Sequence, residues 1–185
     1  IAATPRSWER VSRIMQVVGR TEGLLEQLSG VIRSALETGP IRVLLTDASR
    51  RTFTQHFPEA SKTEATTLDA RNPVVRKLHL ETEPLNVEML DRSAPGRLDL
   101  ESALVLRDIS AHLAVGVHAK TGLQGIVLVG PRESGRLYDA MEQRALQLVA
   151  DQLGVALENA SLYTALQDAK IYNDLIVDSL LSGLV

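Results

Sequence analysis

The 185-residue chain has no cysteine. Disulfides, thiolate nucleophiles, zinc–thiolate sites and thioether-linked chromophores are therefore all excluded. It also lacks a basic excess. The formal net charge is −3 with a pI near 5.8, and the Lys and Arg residues are scattered along the chain. A nucleic-acid footprint needs clustered positive charge, so no nucleic-acid partner is expected. No apolar run approaches the roughly 18 residues of a membrane span, and no signal-peptide pattern opens the chain. Membrane insertion by this segment is not expected, and a cytoplasmic location is the simplest reading.

Catalytic signatures are missing as well. There is no Gly-x-Ser-x-Gly elbow, no His-Glu-x-x-His pair and no glycine-rich phosphate loop with its lysine. His56, His79, His112 and His118 have no metal-ligand spacing. Carboxylates such as Glu142 and Glu158 read as helical surface groups. The segment is therefore expected to be non-catalytic and to hold no metal. No internal repeat or low-complexity stretch is present.

What the chain does have is an ordinary globular composition, 44% hydrophobic and 23% charged, sufficient for a core. Its most telling stretch runs from Asp139 to Leu181, beyond the last proline at Pro131 and with Gly154 as its single glycine. Asp139 and Glu142 have capping-box spacing, which predicts a helix start. Leu146, Val149, Leu153, Ala156 or Leu157, Ala160 and Tyr163 form one apolar register. A second follows at Leu162, Leu166, Ala169, Asn173, Ile176 and Leu180, spaced four and three as in a coiled coil. Such a helix is roughly 60 Å long. Its second register has no sheet in this segment to cover, and is expected to seek a second copy of the chain, with Asn173 as a register-setting polar residue.

The rest of the chain alternates between periods. Val11, Ile14, Val18, Leu25, Leu28, Ile32 and Ala35 recur at helical spacing, predicting a leading helix over Ser7 to Gly19 and a second over Thr21 to Glu37, stopped by Gly39 and Pro40. Ile41 to Thr46 and Thr52 to Phe57 read as a hairpin, and Pro58 to Asn72 as a polar loop. Asn72 followed by Pro73 caps a short helix carrying Val74, Val75 and Leu78. A brief strand over Leu85 to Met89, a loop with Pro95 and Gly96, and a helical piece over Leu100 to Leu106 follow. Ala111 to Ala119 alternates as a half-buried strand, with Leu113, Val115 and Val117 on one face and His112, Ala114, Gly116 and His118 on the other. Leu123 to Val129 is apolar on both faces, as a central strand is. Helices at both ends of antiparallel hairpins give an α+β fold.

From Leu113 to Gly130 (LAVGVHAKTGLQGIVLVG), Ser134 to Tyr138 (SGRLY) and Val149 to Ala160 (VADQLGVALENA), the chain resembles the GAF family of regulatory domains. The resemblance covers about Thr21 to Tyr163, most closely from Ile109 onward. Gly116 departs from it, because many members carry proline there. Tyr172 to Val185 (YNDLIVDSLLSGLV) resembles the lead-in to a PAS domain in bacterial sensor histidine kinases. The chain opens on Ile1 and stops as a new apolar run begins, so it is expected to be a piece of a longer protein.

The resemblance implies a central antiparallel sheet with the N- and C-terminal helices on one face and loops and short helices on the other. It divides the chain into a linker helix (1–20), a GAF domain (21–163) and a signalling coiled-coil helix (164–185) leading into a PAS domain. It implies a cytoplasmic sensory or relay domain of a two-component signalling protein, a homodimer coupled to downstream PAS and kinase domains of the same chain. The dimer helices would present Val11, Ile14 and Val18 together with Leu162, Leu166, Ala169, Asn173, Ile176 and Leu180. A small-molecule ligand would meet the His112, Ala114, Gly116 and His118 face if that face lines the family's cavity. No cofactor is indicated: the lack of cysteine removes bilin attachment, and the cyclic-nucleotide signature Asn-Lys-x-Asp is missing. The alternative is a structural dimerisation module that binds nothing.

Overall fold

Local chemistry starts and stops most of the elements. The computed structural model describes residues 21–87 and 99–183. Helix α1 (Thr21–Leu36) ends where Glu37 takes a φ of 48° and Gly39 and Pro40 follow. Strands β1 (Ile41–Thr46) and β2 (Thr52–Phe57) form the first hairpin, β3 is Thr67–Asp69, and α2 is Pro73–Leu80. The Asn72 side chain accepts from the Val74 N–H at 3.0 Å, with Pro73 opening the helix as the sequence predicts. Strand β4 is Leu85–Asn86 and α3 is Leu100–Asp108, whose Asp99 cap accepts from the Ser102 N–H at 2.7 Å. Strands β5 (Leu113–Ala119) and β6 (Gly122–Val129) form the second hairpin, and α4 (Ala140–Ser182) is the long helix. Its capping box is reciprocal. Glu142 N–H donates to Asp139 at 2.8 Å, and Asp139 N–H donates to Glu142 at 2.9 Å.

Among the described residues six strands make one antiparallel sheet in the order β3-β2-β1-β6-β5-β4, with β6 central as its largely apolar sequence requires. On one face Leu44, Ala114, Ile126 and Leu128 join Val74, Val75 and Leu78 of α2 and Ala103 and Leu106 of α3 in a single apolar core. The opposite face presents Val43, Val115, Val117 and Val127, all buried. Helices α1 and α4 supply buried Leu25, Ile32, Leu146, Ala150 and Leu153, and Gly154 of α4 meets β5 at the backbone of His118. This is the expected α+β arrangement.

Three expectations need correction. The loop over Pro58 to Asn72 contains β3, whose Leu68 is buried opposite Phe53. Strand β5 is not half-buried: Leu113 to Val117 are all buried, because both faces of the sheet are covered. Glu142 is not a surface carboxylate, since only 14% of its side chain is exposed. The leading helix with Val11, Ile14 and Val18, and the segment holding Met89, Pro95 and Gly96, lie outside the described residues.

The chain divides into a compact unit, Glu22–Gly154, and a second one to which Val155–Val185 belongs. In the second, described to Gly183, α4 continues without a glycine until its end, and Leu162, Leu166 and Leu180 are exposed. Within the first, no atom of the described residues, apart from the chain neighbours and the helix's own backbone, lies within 4 Å of where a Cβ at Gly30 of α1 would stand. Gly30→Ala is therefore expected to stabilise the domain by about 0.5–1 kcal/mol, the helix-propensity difference, as read by urea unfolding.

Candidate functional site

The face of β5 singled out by its alternation does not form one cluster. His112 and His118 stand six residues apart on an extended strand, roughly 20 Å, at opposite ends of β5. His112 lies where the backbone joins β6 and β4: its N–H donates to Val129 O at 2.8 Å, and its carbonyl accepts from Val87 at 2.9 Å. Between the histidines, Ala114 belongs to the apolar core and Gly116 is buried. His118 folds back over Gly116, placing Nε2 2.7 Å from where a Cβ at that position would stand. That Nε2 is buried and has no hydrogen-bond partner among the described residues. The departure at Gly116 thus makes room for the imidazole. The other predicted residues, Leu162, Leu166, Ala169, Asn173, Ile176 and Leu180, are exposed along α4.

The densest polar constellation lies elsewhere, at the junction of α1, β6 and α4. The Arg132 side chain is 3% exposed. Its guanidinium stacks on Tyr138 at 4.3 Å, donates to Leu137 O at 3.2 Å and to Leu36 O at 3.0 Å, and pairs with Glu142 at 2.7 Å. Tyr138 Oη accepts from Gly39 N–H at 2.9 Å and donates to Gly130 O at 2.8 Å. Gln143 Nε2 donates to Tyr138 O at 3.0 Å. Glu142 takes a further bond from Arg136 at 2.9 Å. Burial works to raise the Glu142 pKa. The Arg132 hydrogen bond, the Asp139 N–H and the charges of Arg132 and Arg136 outweigh it, so the carboxyl titrates below its ordinary value. A Cβ at Gly39 would stand 2.1 Å from Pro131 O, so only glycine lets the two loops approach this closely. The sequence signals the capping box but not the latch, because Arg132 reaches Glu142 from a loop with no periodicity.

Beside this latch lies an open groove of about 1190 Å³, lined among others by Arg33, Thr38, Arg42, Thr66, Asp108 and Arg132. Arg42 sits at the start of β1, half-buried. It donates to Thr66 Oγ1 at 2.8 Å and to Ile109 O, and burial lowers its pKa. Thr38 Oγ1 and Arg132 Nε are buried without hydrogen-bond partners among the described residues. Among the described residues no three His, Asp or Glu side chains gather as a metal site, and no helix is long and apolar enough to cross a membrane.

No family model matches the chain, and no curated protein matches it in sequence. Solved structures do match in fold. Residues 122 to 287 of a methyl-accepting chemotaxis protein superpose with a TM-score of 0.62 at 16% identity, covering 84% of this chain and 99% of that one. The phycoerythrobilin-bound GAF domain of a cyanobacterial phytochrome gives 0.59 at 15% identity, over 89% and 100% of the two chains. A GAF domain/HD domain protein from Geobacter sulfurreducens gives 0.58 at 16% identity, over 80% and 98%. The fold is that of GAF domains.

Proposed function

We propose that this chain is a non-enzymatic sensory and signal-relay domain of a cytoplasmic bacterial signalling protein, of sensor histidine kinase or related type, acting as a homodimer. The observation that carries the reading is the exposed apolar register of α4 beyond Gly154. Leu162 is 63% and Leu166 72% exposed, and Leu180 is 63% exposed, at spacings of four and fourteen that keep one side of a coiled-coil helix. Apolar side chains so regularly placed on a charged helix gain from a partner surface of the same kind. Asn173 supports a parallel pair. Among its apolar neighbours it occupies the a position, where parallel helices bring a against a and each amide meets its counterpart. The helix then feeds a following PAS domain, and a signal acts by favouring one of two helix arrangements.

A small ligand on the β5 face would meet His118, whose unpartnered Nε2 supports that role. The apolar packing around Ala114 supports the alternative, a dimerisation module with no ligand at that face. The oligomer is tested first. Light scattering of the chain is expected to give twice 20.2 kDa, and the double variant Leu166→Glu with Leu180→Glu the single-chain mass with an unchanged sheet signal. A single-chain mass for the unaltered protein at high micromolar concentration ends the dimer reading.

A further inference from the structure

The groove beside β1 has charge chemistry that the fold itself leaves unused. Among the described residues Arg42 makes no ion pair; its bonds go to a hydroxyl and a carbonyl. A half-buried guanidinium without a counter-charge is costly unless a carboxylate or phosphate reaches it, and its planar fork fits such a group in two-point geometry. Thr38 and Arg132 belong to the same lining, and each has a buried polar atom, Oγ1 and Nε, with no hydrogen-bond partner among the described residues. The remaining charges decide what kind of anion is admitted. Arg132 is already neutralised by Glu142. That leaves Arg33 and Arg42 sharing the lining with Glu37, Asp108 and Glu133, a field that repels a free dianion and attracts a ligand carrying both signs.

We propose that this groove binds a small zwitterion of the α-amino-acid class, its carboxylate held by Arg42 and its ammonium facing Glu37, Asp108 and Glu133. The groove volume leaves room for the ligand's side chain. Occupancy is felt at the start of the output helix, because Arg132 lines the groove and also binds Glu142 in the first turn of α4. The proposal gives the sensory reading a ligand class and rests on that reading for its use. Binding and mass are separate measurements, so either fails alone.

The test is calorimetric titration of the chain with the common L-amino acids, with propionate, ethylamine and inorganic phosphate as single-charge probes. At least one amino acid is expected to bind saturably at millimolar concentration or below, and the single-charge probes not to. Arg42→Gln is expected to weaken binding by about tenfold or more, the loss of a charge-assisted fork. Asp108→Asn, at an exposed position, is expected to weaken it several-fold and serves if the Arg42 variant does not fold. Binding of phosphate or propionate in place of amino acids overturns the zwitterion assignment. No binding by any probe overturns the site. So does amino-acid binding that neither variant changes.

Discussion

Gly154→Ala is expected to cost about 2 kcal/mol of unfolding free energy, although alanine is the better helix former. The two effects have opposite signs and unequal sizes. Removing glycine from a helix interior gains about 1 kcal/mol in propensity. Against this, a Cβ at 154 would stand 2.2 Å from His118 O and 3.0 Å from His118 C, both backbone atoms of β5. Neither can swing aside as a side-chain end does, so α4 must shift away from the strand. Overpacking costs about 1–3 kcal/mol and occasionally more; a clash with two backbone atoms belongs at the top of that range, about 3 kcal/mol, and the propensity gain leaves about 2 kcal/mol. The expected fall in melting temperature is about 4–8 °C for a domain of this size. Gly30→Ala carries the same propensity gain without the clash, so the two substitutions should move stability in opposite directions. An alanine at 154 that leaves stability equal or higher would show that the helix does not sit this close to β5.

The same comparison shows what a sequence can reveal. Gly154 stands out because it is the single glycine in a 43-residue helix, yet nothing local says which strand it touches. Features closed within a few residues were legible: the Asn72 cap, the Asp139 and Glu142 box, and the central position of β6 from its nearly all-apolar sequence. Strand β3 was not. It has three residues, is polar on both sides of Leu68, and exists because β2 pairs with it, so no period marks it. Strand β5 alternates because His112 and His118 occupy its ends, not because one face meets water. Arg42 shows the limit for the candidate site. Its place on a face follows from strand alternation, but the groove depends on Thr66 and Ile109, 24 and 67 residues away.

Glu142→Gln is expected to destabilise the domain by about 3 kcal/mol, more than Arg132→Met, although both break the same ion pair. Removing one partner of a buried pair costs about 3–5 kcal/mol when the other is left uncompensated. Glutamine leaves the 3%-exposed Arg132 side chain with two carbonyls and no negative charge. Methionine at 132 retains much of the apolar stem over Tyr138 and leaves Glu142 with Arg136 and the Asp139 N–H. The double variant should therefore cost less than the sum of the singles, as a coupled pair does. Arg136, 69% exposed, belongs to the rim, and Arg136→Gln is expected to cost under about 0.5 kcal/mol. The pH dependence separates this from simple misfolding. Glu142 titrates lower in the fold than in the unfolded chain. Its contribution is thus complete above the unfolded pKa of about 4.3 and is lost as pH falls through the lower folded value. The gap between the unaltered protein and Glu142→Gln in urea unfolding should be widest near neutral pH and narrow below about pH 4. A gap that stays constant across that range would mean that the carboxylate charge is not what holds the latch.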